Sequence, residues 1–218
     1  RNLLNVPGCT ITAVCDMVAD KVENVQKMAV EAGQAKPKAF TGGPEAYKKL
    51  CQQNDVDVVY IATPWRFHVP MAVEAMKGGK HAYVEVSVAI NMDQCWEIVE
   101  TSENTGKHCV IMENCCYGQA ELTVLNMCRK GMLGDLVNAE CGYLHDLREL
   151  KFRDSGEGPW RLPYTVERNG NLYPTHGLGP VAEYVDITRG DPFDYLISMS
   201  SRTGGLTEYA RDTSGSSD

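Results

Sequence analysis

No stretch of this sequence is long and apolar enough to cross a bilayer. The longest apolar run, Val56 to Trp65, is interrupted by Asp57, and a spanning helix needs about 20 predominantly apolar residues. Basic charge is also scarce. Lys and Arg number 21 against 29 Asp and Glu, a net charge of −8, which argues against a nucleic-acid surface. No Cys-x-x-Cys pair occurs among the nine cysteines. Their odd number and scatter, with Cys15 and Cys109 inside apolar runs, fit buried free thiols rather than a disulfide frame or a zinc site. No metal is expected, and the thiols weakly favour a reducing compartment. Internal repeats are absent. No Gly-x-Gly-x-x-Gly turn precedes Thr10, and the chain opens on Arg1 rather than methionine, which leaves a processed or missing N-terminus open.

What is present is an ordinary globular composition, 43% apolar and 23% charged over 218 residues, enough for a domain and a half. Cys9 to Asp16 is β-branched and apolar and stops at an acid, which predicts a strand. Val22, Val25, Met28, Ala29 and Ala32 recur at helical spacing before Gly33. A short strand at Ala39-Phe40, a loop at Thr41 to Pro44 and a helix over Glu45 to Gln53 follow. Val56 to Thr63 predicts a strand buried on both faces of a parallel sheet. Pro70 to Lys77 predicts a helix, His81 to Val86 a strand, Asn91 to Asn104 a helix with a capping box, His108 to Asn114 a strand, and Gln119 to Lys130 a helix.

This alternation predicts an α/β chain, a Rossmann-type doubly wound parallel sheet over residues 1–116. Its first strand, which would carry the pyrophosphate loop, is missing. Residues 117–218 are expected to form part of an α+β domain with a mainly antiparallel sheet. Leu136 to Tyr143 and Asp194 to Ser201 would be strands, Arg153 to Asn171 irregular, a helix would follow His176, and Asp212 to Asp218 would be loop. The second sheet looks unfinished, so a fragment of a longer enzyme is expected.

The chemistry-bearing residues fall at strand ends and turns. Asp16 ends the second strand of the expected order, where an acid accepts hydrogen bonds from adenosine ribose hydroxyls and selects NAD over NADP; alone it would read as a solvated helix-start acid. Thr63-Pro64-Trp65 and His68 follow the most buried strand at its carboxyl end, where ligands of open α/β sheets bind. Trp65 could stack on a cofactor ring or simply cover the core. Glu85, Val86 and Asn114 end the next two strands; Asn114 could hold a carboxamide or cap a helix. Tyr143 lies on the first expected strand of the second sheet, as core or as ligand. Tyr173 and His176 are three residues apart in a Gly/Pro-rich turn. A helix N-terminus near His176 favours the neutral imidazole, able to act as a base.

Ala62-Thr-Pro64, His68, Glu85 and Gly131-x-x-Gly134-Asp135 resemble, in order and spacing, the Gfo/Idh/MocA oxidoreductase family. Within it the chain most resembles glycoside hydrolase family 109. The likeness runs through Tyr60-Ile-Ala-Thr-Pro-Trp65, Glu113-Asn-Cys-Cys-Tyr-Gly118, His145-Asp-Leu-Arg-Glu-Leu150 and Asn169-Gly-Asn-Leu-Tyr-Pro-Thr-His-Gly-Leu-Gly-Pro180. The wider family's dehydrogenases carry Glu-Lys-Pro and Asp-x-Gly-x-His; here these are Glu85-Val-Ser87 and Thr175-His-Gly-Leu-Gly179. Both usual proton-transfer positions are changed.

The resemblance implies NAD as cofactor, contacted by Asp16, Trp65, Arg66, Phe67, His68, Glu85, Val86, Asn114, Arg161, Tyr173, Pro174, Thr175 and His176. It implies a glycan with terminal α-N-acetylgalactosamine as substrate, contacted by Tyr143 and Tyr173, with a further tyrosine expected beyond residue 218. It implies hydrolysis by oxidation, elimination, addition and reduction, with His176, Tyr173 and Tyr143 as catalytic candidates and Arg161 offsetting enolate charge. An NAD-dependent sugar dehydrogenase and a non-catalytic sugar- or nucleotide-binding scaffold are the alternatives. A homo-oligomer is compatible with the resemblance, and relatives are often exported.

Overall fold

A computed structural model describes residues 2–214. The chain divides into two compact units, Arg1–Met112 and Glu113–Asp218.

The first unit is built from parallel strands and crossover helices. Strand β1 (Ala13–Cys15) pairs with β2 (Lys38–Phe40), Ala13 opposite Lys38. Strands β3 (Val58–Ile61), β4 (His81–Val84) and β5 (Cys109–Ile111) form a second block, with Val58 opposite His81 and Tyr83 opposite Val110. Helix α1 (Ala19–Glu31) joins β1 to β2, and α2 (Ala46–Cys51) precedes β3. Helices α3 (His68–Lys77) and α4 (Met92–Thr105) connect β3 to β4 and β4 to β5.

The ladder breaks between β1 and β3. In the doubly wound order the first strand lies between the second and the fourth. A sheet lacking it should fall into a two-stranded and a three-stranded block, which is the arrangement observed. The break also corrects one expectation. Strand β3 is not covered on both faces: Val58 and Tyr60, which share one face, are exposed, while Ile61 on the other is buried.

Local chemistry explains the boundaries. Val22, Gln26 and Ala29 are the buried face of α1, and Gly33 at φ +80° ends it where a side chain would be strained. Asn91 Oδ1 accepts the Gln94 N–H at 2.9 Å, and Gln94 Oε1 accepts the Ile90 N–H at 3.0 Å, a capping arrangement close to the one expected. The core forms where Val69, Ala72, Val73, Ala75 and Met76 of α3 pack on Ile61, Ala82, Val84, Ile98 and Cys51. Each large apolar side chain there contributes about 1.5–3 kcal/mol by burial.

The second unit is helical. It contains α5 (Gln119–Arg129), α6 (Arg148–Lys151), α7 (Gly158–Glu167), α8 (Pro174–Tyr184) and α9 (Gly205–Ser214). Helix α8 packs on α5 and on a short 3-10 turn, Asn114–Cys116, and Tyr184 donates its hydroxyl to the Glu121 carbonyl at 3.2 Å. Three expectations are corrected. Leu136 to Tyr143 and Asp194 to Ser201 form no strand, and among the described residues this unit has no ladder, only an isolated bridge between Ile187 and Asp191. A strand exists only with a partner, and here side chains such as Val137 and Leu196 face solvent. Helix α7 occupies part of the stretch expected to be irregular. Its Pro159 lies in the first turn, where N–H groups have no intrahelical partner to lose. Helix α9 covers residues 212–214 of the expected terminal loop, held by Tyr209 against Phe152 and the Arg148 guanidinium; residues 215–218 lie outside the described part.

Candidate active site

In the first unit the expected cofactor residues follow the carboxyl ends of the strands. Asp16 follows β1. Its Oδ1 accepts the Val18 N–H at 2.9 Å, its Oδ2 lies 3.9 Å from Lys21 Nζ, and 36% of its side chain is exposed. The second oxygen therefore keeps acceptor capacity for ribose hydroxyls, so this residue fits the adenosine end of NAD. Glu85 follows β4 and accepts a short hydrogen bond from Tyr60 of β3. Burial, then that bond and the carboxylate charge, push the Tyr60 phenol up to about 12, so it stays a donor.

Trp65 and His68 are buried rather than presented to solvent. The Trp65 indole donates to the Val86 carbonyl at 3.2 Å. The His68 ring reaches the Ser87 carbonyl through Nδ1 at 2.7 Å and the Thr63 carbonyl through Nε2 at 2.6 Å. Both side chains thus tie the loop after β3 to the loop after β4. Burial pushes the His68 imidazole below its ordinary pKa, although both carbonyls and Glu85 pull the other way. Arg66 lies over the Phe67 ring, its guanidinium carbon 4.6 Å from the centroid.

In the second unit the structure brings together the three residues expected to be catalytic. The Tyr173 and His176 rings stack, with centroids 5.1 Å apart and an interplanar angle of 6°. Tyr143 meets the His176 ring edge-on at 4.4 Å and the Tyr173 ring at 5.8 Å. The Arg161 guanidinium lies 5.4 Å from the Tyr173 centroid, and its Nε donates to Glu157 at 2.5 Å. Helix α8 sets this geometry. Pro174 begins it, with φ already fixed for a helix, so Thr175 and His176 fall in its first turn beside Tyr173. Gly179 is required by packing: a Cβ there would lie 2.7 Å from Cys116 Sγ and 3.5 Å from Glu113 Cγ. Asn114 opens the 3-10 turn against which α8 rests.

Sequence reasoning missed two partners. Glu113 is buried, and its Oε1 faces His176 Nδ1 at 2.5 Å while accepting the Cys115 N–H at 3.1 Å. The carboxylate accepts, so the ring donates from Nδ1 and its lone pair is on Nε2. Burial alone would raise the Glu113 carboxyl. Thr175, His176 and the Cys115 N–H outweigh it and hold the group below its ordinary range. Thr175 Oγ1 and Glu113 Oε2 are buried without closing a hydrogen bond of normal geometry, so the His176 and Cys115 contacts are the fixed ones. The second partner is His145, whose Nδ1 lies 2.7 Å from the Tyr143 hydroxyl. Both residues stand inside stretches that carry the resemblance, which was the available signal. The Cys115 thiol is raised by burial and by Glu113, and Cys116 is pushed up to about 11 mainly by burial, so neither is an activated nucleophile.

Residues 1–113 match the sequence model of the Gfo/Idh/MocA oxidoreductase family's NAD-binding Rossmann fold. The chain belongs to the Gfo/Idh/MocA oxidoreductase family. Its cofactor is NAD. Residues 117–218 match the C-terminal domain model of glycosyl hydrolase 109. A glycosyl hydrolase family 109 protein from Shewanella woodyi is 46% identical over 97% of this chain and 45% of its own length. One from Solibacter usitatus is 50% identical over 97% of this chain and 49% of its own length. The chain therefore spans about half the length of the curated relatives it matches. Among solved structures, an NAD-binding oxidoreductase from Klebsiella pneumoniae aligns with a TM-score of 0.64 at 23% identity, over 81% of this chain and 44% of its own. The aldose-aldose oxidoreductase from Caulobacter crescentus aligns at 0.63 and 18%, over 80% and 49%. These likenesses establish the fold. No helix among the described residues is long and apolar enough to cross a membrane.

Proposed function

We propose that the full-length protein is an NAD-dependent glycoside hydrolase acting on terminal α-N-acetylgalactosamine. The observation that carries this reading is the Glu113–His176 pair with the Tyr173 and Tyr143 rings against it. Ordinary glycosidases flank the scissile bond with two carboxyl groups. Here the buried carboxylate is turned onto an imidazole, an arrangement suited to moving protons at carbon and oxygen.

NAD, when bound, would supply the reversible oxidation at carbon 3 of the sugar; Asp16, Glu85, Val86, Asn114, Arg161 and the Tyr173 to His176 turn are its proposed contacts, with Trp65 and His68 supporting the loops that carry Val86 and Ser87. With carbon 3 as a ketone, the proton on carbon 2 becomes acidic. His176 Nε2 and the Tyr173 hydroxyl divide the proton transfers at oxygen 3 and carbon 2, with Tyr143 as the third donor–acceptor of the cluster. Removal of the carbon 2 proton gives an enolate that expels the group on carbon 1, and Arg161 offsets its charge. Water then adds at carbon 1 and a proton returns to carbon 2. Glu113 stabilises the imidazolium formed at each proton uptake, as an orienting carboxylate does in hydrolase triads. Such a cycle leaves no net redox change.

The test is incubation of the full-length enzyme in D₂O with an aryl α-N-acetylgalactosaminide. Aryl release with deuterium at carbon 2 and no net NADH is expected. NADH accumulation without aryl release would replace this reading with a sugar dehydrogenase.

A further inference from the structure

The same turn gathers a second set of groups with different chemistry. The Glu113 carboxylate, the Cys115 thiol and the His176 imidazole each place a ligand atom within 4.8 Å of the other two. Thiol and imidazole suit zinc-like ions, whereas Ca²⁺ and Mg²⁺ require shells of oxygen. Zinc takes sulfur at about 2.3 Å and nitrogen or oxygen at about 2.0–2.2 Å, so small side-chain movements would close this set on one ion. An independent feature points the same way. Glu113 is only 5% exposed, and its Oε2 closes no hydrogen bond of normal geometry, even with the Thr175 hydroxyl beside the carboxylate. A buried carboxylate oxygen in that state costs free energy that a cation would recover.

We propose that Glu113, Cys115 and His176 form a capture site for a single Zn²⁺-class ion, and that its occupation switches the active site off. Binding expels the Cys115 thiol proton to solvent and forms a thiolate–metal bond. If the metal takes Nδ1, the ring proton moves to Nε2; if it takes Nε2, the lone pair is consumed directly. Either way the imidazole can no longer accept a proton from substrate. The binding stands on the ligand set alone. The loss of turnover rests on the reading of His176 as a proton acceptor.

The probe is Co²⁺, added to full-length protein freed of metal by EDTA. A thiolate-to-cobalt charge-transfer band saturating at one equivalent is expected. Cys115→Ser should abolish the band and weaken Zn²⁺ binding by about tenfold or more, while Cys116→Ser should retain the band. Zn²⁺ should displace the cobalt and suppress turnover, and EDTA should restore it. Absence of the band at one equivalent, or its persistence in Cys115→Ser, would overturn the site. Should the serine variant not fold, alkylation of the parent followed by peptide mass analysis decides: Zn²⁺ must protect Cys115, and equal labelling with and without it overturns the site. A normal cobalt band with undiminished turnover would overturn the switch and the base role of His176, leaving the metal site standing.

Discussion

At the scale of single residues the decisive feature is a buried carboxylate turned onto an imidazole. Glu113 Oε1 receives two donors, the His176 ring and the Cys115 N–H, so it is oriented from both sides. It touches the imidazole and, in the proposed reaction, acts through it, which makes it a positioning residue. Glu113→Gln keeps the shape and removes the charge. In full-length enzyme kcat should fall by about 10²–10⁴-fold, the range for a disabled general base or its orienter, with KM for the aryl glycoside and the affinity for NAD changed much less. An equal loss in NAD affinity would instead make Glu113 a structural support.

Among elements, the loops after β3 and β4 are joined by side chains rather than by the ladder. His68, at the start of α3, spans the Thr63 and Ser87 carbonyls from a site 1% exposed. Its folded pKa lies below its ordinary value of about 6.5. Between those values the unfolded chain binds more protons than the fold, so stability rises with pH there. The contribution is complete above about pH 6.5 and is lost as pH falls through the folded pKa. His68→Gln, which cannot titrate, should therefore lose less stability than the parent between about pH 7.5 and about pH 5.5 in urea unfolding. Parallel pH dependences would refute this. The same residue shows what sequence could and could not convey. Its place after a strand was legible, as were α1 and α4, whose period and Asn91 cap are local. That its ring faces inward was not, because Trp65 and His68 look alike in sequence whether they stack on a ligand or on the core. Tyr143, Tyr173 and His176 could be nominated from resemblance and turn chemistry. Glu113 was hidden by its position, since a strand-end acid looks like a helix cap until the partner 63 residues away is placed beside it. The expected second sheet failed for the opposite reason: alternation in Leu136 to Tyr143 is local, but a strand needs a neighbour that the described residues do not supply.

For the whole chain, the distribution of buried apolar side chains is uneven. Those of the core come from the first unit, with Leu125 and Pro180 the exceptions among the described residues. In the second unit Val137, Leu144, Leu196 and Met199 are almost fully exposed. Local stability follows local burial and backbone pairing. Strands β4 and β5 are paired in a ladder and α3 packs on β4, with Ala72, Ala82 and Val84 completely buried; residues 136–147 and 192–204 have no ladder and are largely exposed. Amide hydrogen exchange on the 218-residue chain should therefore show protection concentrated in β4, β5 and α3, intermediate protection in α5 and α8, which pack on each other, and rapid exchange across residues 136–147 and 192–204. The turn proposed to be catalytic then sits on the less stable half of the chain, anchored by Gly179 against Cys116 and by Glu113 against His176. Uniform protection across both units would show that burial within this chain does not set its local stability, and would remove the argument that the α8 turn is held mainly by those two contacts.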